Sequence, residues 1–411
     1  MQHTANVQVP EYGSLMKRPL DGITVIDLGQ IYNGPYATFL MAMAGAKVIK
    51  IEPPGGEKMR RRGSVGGAML PFAMLNSNKE FITLNLKSPE GLELLHRMVA
   101  KADIVLENFA PGTMDRLGAG YEALRTINPQ IIYAAGTGYG SFGPNHNMLA
   151  MDLTVQAMSG VMASTGFPDS PPVKAGPALC DFFGGIHLYG AVMTALVRRE
   201  RTGQGSLVEV SMLESVYPSL SSTLGLYYGS GGQNPPRTGN RHSGLAEAPY
   251  NVYACKDGWV ALLCVSDQHW EGLVDAMGRR DMFDDPKFHD LQSRVDNIDE
   301  LDGIIEGWTR DHTKDEMIGI LTARRIPFAP VREIDEVVND PHMHARGTLK
   351  RIDHPELGNV VLPTGPMIFP GSEELDLVPS KHLGADNASV YGDWLGVGPE
   401  ELSTLMERGA V

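Results

Sequence analysis

Cysteine is almost missing from this chain. Only Cys180, Cys255 and Cys264 occur among 411 residues, and none forms a C-x-x-C pair. That excludes a disulfide framework and makes a reducing compartment, the cytoplasm, the expected location. Long apolar runs are missing too. The run from Trp259 to Val265 is far short of the roughly 20 residues that span a bilayer. Met1 to Lys17 is polar, with no apolar segment of signal-peptide length. Neither a membrane partner nor a secretory signal is therefore expected. Positive charge is in deficit: 35 Lys and Arg against 49 Asp and Glu, a net charge of −14 at pH 7. Nucleic acid is not expected as a partner, although a local basic cluster can still hold a small anion. No internal repeat and no low-complexity tract occurs.

What is present fits a soluble globular protein, with 42% hydrophobic and 20% charged residues. The length suits two domains. Apolar, β-branched runs at 22–28, 47–52, 81–86, 103–107 and 130–135 read as buried strands. Helical stretches at 34–44 and 89–100 lie between them, the first opening on Gly34-Pro35. Alternating strand and helix imply an α/β fold with a mostly parallel sheet, and ligands on such sheets sit at the carboxyl ends of the strands. Composition shifts near residue 225. Residues 226–245 read as a linker or mobile loop. A strand–turn–strand over 252–265 and helices at 269–277, 298–309 and 314–324 then suggest a smaller α+β domain. Short strands at 350–355 and 360–362 return toward the first domain. The expected division is 18–225 for the first part of the large domain, 226–345 for linker and small domain, and 346–411 for the return.

One carboxylate stands out. Asp152 opens an apolar helix just after the glycine-rich turn from Gly136 to Pro144. A helix N-terminus favours an anion and offers free N–H groups. Asp152 is therefore either a plain N-cap or a covalent nucleophile with oxyanion donors nearby. The string Gly138-Tyr139-Gly140-Ser141-Phe142-Gly143 spells G-x-G-x-x-G, but Pro144 and Asn145 break the helix that a dinucleotide fingerprint requires. His342 and His344 have no partner cluster, so no metal site is expected.

An ordered series of segments resembles the class III coenzyme A-transferases, a superfamily that also contains α-methylacyl-CoA racemase. The series runs through residues 19–28, Gly34-Pro35-Tyr36-Ala37-Thr38, residues 45–52, Asn76-Ser77-Asn78-Lys79 and residues 84–87. It continues through Glu107-Asn108-Phe109-Ala110-Pro111-Gly112, Asp115-Arg116-Leu117-Gly118, residues 201–205 and Asn240-Arg241-His242. The resemblance implies a Rossmann-like large domain built from both chain ends, a small domain, and an interlocked homodimer. It implies transfer of CoA from an acyl-CoA donor, succinyl-CoA being the first candidate, to a free carboxylic acid. The CoA thioester is then a substrate, and no cofactor is bound permanently. The acyl-carrying aspartate falls at Asp152, and the reaction passes through a mixed anhydride and an aspartyl-CoA thioester. The backbone at Tyr139 and Gly140 becomes a candidate oxyanion donor. Lys87, Arg116, Leu84, Asn108 and Phe109 match CoA contacts. The family's arginine after the second strand is Pro53 here, so Arg60 and Arg61 are candidates for its role. Tyr32, two residues past Gln30, stands where the family has a glutamine, which places both in the acyl pocket. Arg237, Arg241 and His242 are candidates for the acceptor acid. Two rivals stay open: a racemase or isomerase acting by α-proton transfer, and a non-catalytic acyl-CoA-binding subunit of a hetero-oligomer.

Overall fold

The computed structural model describes residues 16–62 and 69–411. In chain order the first half runs β1 (Thr24–Asp27), α1 (Asn33–Met43), β2 (Lys47–Glu52), α2 (Lys58–Arg61), α3 (Met69–Asn76) and β3 (Glu80–Thr83). Then come α4 (Pro89–Val99), β4 (Ile104–Glu107), α5 (Thr113–Arg116), α6 (Tyr121–Ile127), β5 (Ile132–Thr137), α7 (Asp152–Ser159), α8 (Val161–Ser164), α9 (Leu179–Thr202) and β6 (Ser206–Ser211). The six strands form one parallel sheet in the order β3-β2-β1-β4-β5-β6. Ile26 lies opposite Ile49 on one side and Val105 on the other.

Alternate residues of each strand feed opposite faces, as the period of two requires. Ile26, Ile49, Ile82 and Val105 pack with Leu94, Leu95 and Met98 of α4, and with Val390, Tyr391 and Leu395 from the chain's far end. Val25, Val48 and Ile104 pack on the other face with α1 and with Leu188, Val192 and Ala195 of α9. Helix α4 shows how locally such an element is specified. Ser88 accepts from the Gly91 N–H at 3.0 Å, Pro89 sits in the first turn, and basic residues close the last. Helix α9, 24 residues long, is apolar enough by length and composition to cross a membrane. Its buried face includes Asp181 and rests on the sheet and α1, the position of a core helix.

The chain divides into two compact units. One comprises 1–155, 178–216 and 340–411, the other 156–177 and 217–339. The boundaries thus fall at 216 and 339, and 156–177 goes with the second unit. The second unit has a three-stranded antiparallel sheet of β7 (Tyr250–Cys255), β8 (Gly258–Leu263) and β9 (Phe328–Pro330). Helices Asp267–Ala276, Ile298–Thr309 and Lys314–Ala323 cover it around Trp270, Leu273, Ile305 and Leu321. Part of the supposed linker is ordered, since Ser221–Gly229 is helical. The returning strands β10 (Leu349–His354) and β11 (Gly358–Pro363) belong to the first unit but form a hairpin of their own, outside the six-stranded sheet.

Candidate active site

Loops at the carboxyl ends of β1, β4 and β5 enclose a cleft of about 270 Å³ within the first unit. Its walls include Gln30 and Ile31 after β1, Asn108 and Phe109 after β4, and Gly138 and Tyr139 after β5. Asn108 clamps Gln30 at both ends: Oδ1 accepts from the Gln30 N–H at 2.7 Å, and Nδ2 donates to its carbonyl at 2.9 Å. The side of the cleft is closed by α9, which comes close to the start of α1 because residues 184 and 185 are glycines. A Cβ on Gly184 would sit 2.2 Å from Asn33 Nδ2, and one on Gly185 2.8 Å from the Asn33 carbonyl oxygen.

This close approach brings Asp181, in the first turn of α9, to the cleft. It is 7% exposed. Burial, reinforced by the charge of Asp152, pushes its carboxyl up to about 7. Asn33 Nδ2 donates to the Asp181 carbonyl at 3.4 Å. The neighbouring Cys180 thiol is pushed up to about 12 by burial and by both aspartates, so it stays a thiol and is no nucleophile at neutral pH. Asp152 opens α7 as expected, but it is not among the residues lining the cleft. Its Oδ1 accepts from the Cys180 N–H at 2.8 Å, binding the start of α9 to the start of α7. The carboxylate facing the cleft is thus Asp181, which the sequence reading passed over. Its signal was an acid in an apolar helix, three residues before a Gly-Gly pair. Lys58, an exposed cation on the cleft wall, was also passed over.

Other expected residues divide sharply. Tyr139 lines the cleft with its hydroxyl buried and unpartnered among the described residues. The Gly140 N–H already donates to Thr137 Oγ1 at 2.9 Å, so it is not a spare oxyanion donor. Tyr32 caps α1 and stacks on Phe182 at 6.0 Å between ring centres, outside the cleft lining. Leu84 is a core residue, 1% exposed, and offers no side-chain surface to a ligand. Arg60 is committed elsewhere. Its Nε lies 3.0 Å from both Glu52 carboxylate oxygens, its Nη2 donates to the Lys381 carbonyl, and its guanidinium stacks on Phe72. The Arg61 side chain lies outside the described residues. Lys87 and Arg116 are exposed cations that follow β3 and β4. Arg237, Arg241 and His242 belong to the second unit. There Arg237 ties down the carbonyls of Phe167, Pro168 and Ser170. Arg241 pairs with Asp299 at 2.6 Å and Asp302 at 2.7 Å. His242 Nδ1 accepts from the Gly244 and Ala246 N–H groups. Among the described residues, no group of His, Cys, Asp or Glu is arranged to hold a metal.

A parallel α/β sheet with a ligand-sized cleft at its carboxyl edge is the architecture of an open-sheet enzyme, and a buried carboxylate on the wall of that cleft is suited to nucleophilic group transfer. Comparison makes the class specific. The model of CoA-transferase family III matches residues 20–387. The acetyl-CoA:oxalate CoA-transferase of Acetobacter aceti is 37% identical over 92% of this chain and 94% of its own. The succinyl-CoA–D-citramalate CoA-transferase of Chloroflexus aurantiacus is 33% identical over 96% of this chain and 98% of its own. A CaiB/BaiF family protein from Brucella suis superposes with a TM-score of 0.80 at 32% identity, over 92% of this chain and all of its own. The chain belongs to CoA-transferase family III. It is a CoA-transferase, and its substrates are CoA thioesters and carboxylic acids.

Proposed function

We propose that this protein moves CoA from an acyl-CoA to a free carboxylic acid with Asp181 as the covalent carrier. The observation that carries this reading is a buried carboxylate, raised to about 7, on the wall of the cleft. An Asp181 carboxylate oxygen attacks the thioester carbonyl and expels CoA thiolate, leaving a mixed anhydride. The thiolate attacks the aspartyl carbonyl, releases the donor acid and leaves an aspartyl-CoA thioester. The acceptor carboxylate attacks that thioester, giving a second anhydride and thiolate. The thiolate finally attacks the acceptor's acyl carbon, forming the new acyl-CoA and freeing Asp181. Each step exchanges one acyl bond for another, so no water is consumed. A desolvated carboxylate suits this role, because it gains more by bonding to an acyl carbon than a hydrated one does.

Asp152 keeps the supporting part its geometry gives it. It raises the Asp181 carboxyl and holds the start of α9. Lys58, Lys87 and Arg116 supply the positive charge that CoA phosphates require in a chain of net charge −14. The relatives' names point to small acids as acceptors, oxalate or a branched dicarboxylate, and to acetyl-CoA or succinyl-CoA as donors. We assign the working unit as an interlocked homodimer in the cytoplasm. The large unit is built from both chain ends, and Ile186 and Val197 of α9 are exposed apolar residues in the single chain. Dilution should then yield no folded monomer.

A panel of acids incubated with succinyl-CoA or acetyl-CoA tests the reaction. Asp181→Asn should abolish transfer, and hydroxylamine added during turnover should label Asp181. Normal turnover by Asp181→Asn, or label on Asp152 alone, defeats the assignment. His146 also lines the cleft, so the same panel is run in deuterium oxide. Exchange of the α-proton without transfer would identify the racemase reading instead.

A further inference from the structure

The first wall of the cleft is strained and clamped. Four non-glycine residues among those described have left-handed backbone: Ile31, Asn78, Leu245 and Arg325. Ile31, at φ 64°, is the β-branched one, the type for which this conformation is most unfavourable, and it lines the cleft. Its side chain packs against Met59, Phe72 and Phe81, so glycine would not fill the same place. Strain of this kind persists only where the surroundings over-determine it. Here they do. The Gly29 N–H donates to Asp27 Oδ1 at 2.8 Å, and Lys50 Nζ donates to the Gly29 carbonyl. Asn108 takes both backbone groups of Gln30. The Ile31 N–H donates to Glu57 Oε2 at 3.2 Å.

Glu57 is the unusual member of this set. It comes from the loop after β2, is 1% exposed, and its own N–H donates to Glu52 Oε2 at 3.0 Å. A buried carboxylate is a costly way to satisfy one N–H group. What the position gains is a charge-assisted bond to the strained, β-branched residue of the cleft wall, with Lys50 close by to offset the charge. The bonds to Gly29 and Gln30 fix the approach to Ile31, and the Glu57 bond fixes Ile31 itself.

We propose that Glu57 is a positioning residue for the transfer reaction: through the Ile31 N–H it holds residues 29–31 in the arrangement that presents Gln30 and Ile31 to the cleft beside Asp181. The proposal rests on the reaction assigned above and deepens it. Without the clamp, Ile31 relaxes toward ordinary backbone, the wall shifts, and the acyl group loses its alignment with the carboxylate, an effect that can cost about 10- to 100-fold in rate.

The test uses Glu57→Ala, Glu57→Gln, Ile31→Gly and the double variant Glu57→Ala/Ile31→Gly in the full chain. Glu57→Ala should lower kcat/KM for transfer by about 10- to 100-fold, while Glu57→Gln, which keeps an acceptor oxygen, retains most of it. Glycine bears left-handed backbone without strain, so the double variant should recover part of what Glu57→Ala lost. Melting of the same four proteins gives a cycle that needs no activity. The fall in Tm caused by Glu57→Ala should be larger when residue 31 is glycine, because isoleucine recovers strain on relaxing and so offsets part of the lost bond, whereas glycine has no strain to recover. An equal fall in both backgrounds, or wild-type kcat/KM in Glu57→Ala, overturns the proposal. If the wild-type protein transfers CoA to no acid, the assigned reaction fails, and the melting cycle still decides whether Glu57 clamps Ile31.

Discussion

Asp181 should reveal itself twice as pH changes, once in stability and once in rate. Holding its carboxyl at about 7 instead of the ordinary 3.8 means that ionising it in the folded chain costs on the order of 4 kcal/mol. Between about pH 4 and 7 the folded protein keeps a proton that the unfolded chain has lost. Stability therefore falls as pH rises through that window and levels off above it. Asp181→Asn has no such proton. Relative to wild type, the variant should gain about 2–3 kcal/mol between pH 5 and pH 8, read from denaturant or thermal melts at both values. Glu107, also raised to about 7 by burial, is common to both proteins and cancels in the difference. In the proposed mechanism the same proton governs the reaction, since only an ionised Asp181 carboxylate would attack. Transfer by the wild type should rise through about pH 7 with the slope of one proton. Asp152→Asn removes the like charge that helps to raise Asp181, so its acid limb should move to lower pH. A stability difference between wild type and Asp181→Asn that is the same at pH 5 and pH 8 refutes the burial argument. An acid limb that ignores Asp152→Asn refutes the coupling.

Other consequences follow from the same structure. Replacing Lys58, Lys87 or Arg116 by alanine should raise KM for the acyl-CoA several-fold more than KM for the acid, and the effect should weaken as salt is added; steady-state kinetics at two ionic strengths reads both. Arg241→Ala leaves the buried Asp302 with Tyr253 and Asn251 but without its cation; a loss of about 2–4 kcal/mol should appear in denaturant melts, and a selective rise in KM for the acid would instead restore Arg241 as an acceptor contact. Deleting residues from Gly371 onward removes Val390, Tyr391, Leu395, Val397 and Leu405 from the sheet core. At about 1.5–3 kcal/mol for each large side chain this matches the whole stability of an ordinary domain, so the truncated protein should be insoluble, and a soluble, active product contradicts the core assignment.

The strand and helix pattern was legible because it is local. The β-branched runs at 47–52 and 103–107 became β2 and β4, and helices foreseen at 34–44 and 89–100 became α1 and α4, each shifted by about a residue. The start of α7 at Asp152 was legible for the same reason. Strand β6 went unread although Ser206 to Ser211 has β-branched valines at alternate positions, and the hairpin of β10 and β11 was read as strands without its pairing. The site was less legible, because partners distant in sequence decide which charges are available. Arg60 and Lys58 look alike in the chain; one turns to Glu52 and Phe72, the other to the cleft. Arg241 looked like an acid-binding residue until Asp299 and Asp302, about sixty positions on, claimed it.

The two aspartates show the limit most clearly. Sequence favours Asp152, because a carboxylate at a helix start after a glycine turn is a recognisable pattern. Chemistry favours the one whose water has been removed, and desolvation is a property of packing. Asp181 is dry because Gly184 and Gly185 let α9 close on Asn33. Asp152 acts from behind: it accepts from the Cys180 N–H, and its charge helps to raise the Asp181 carboxyl, which in the proposed mechanism brings an acyl carrier near the working pH. A carboxylate at one helix start thus helps, after burial, to raise a group on another helix. Lengthening the acid at 152 in the absence of Asp181, as in Asp181→Asn/Asp152→Glu, should not restore transfer, because Asp152 is outside the cleft lining and is engaged with the Cys180 N–H. Recovery of turnover in that double variant, measured with the donor and acid that the wild type prefers, would show that position 152 can carry the acyl group after all.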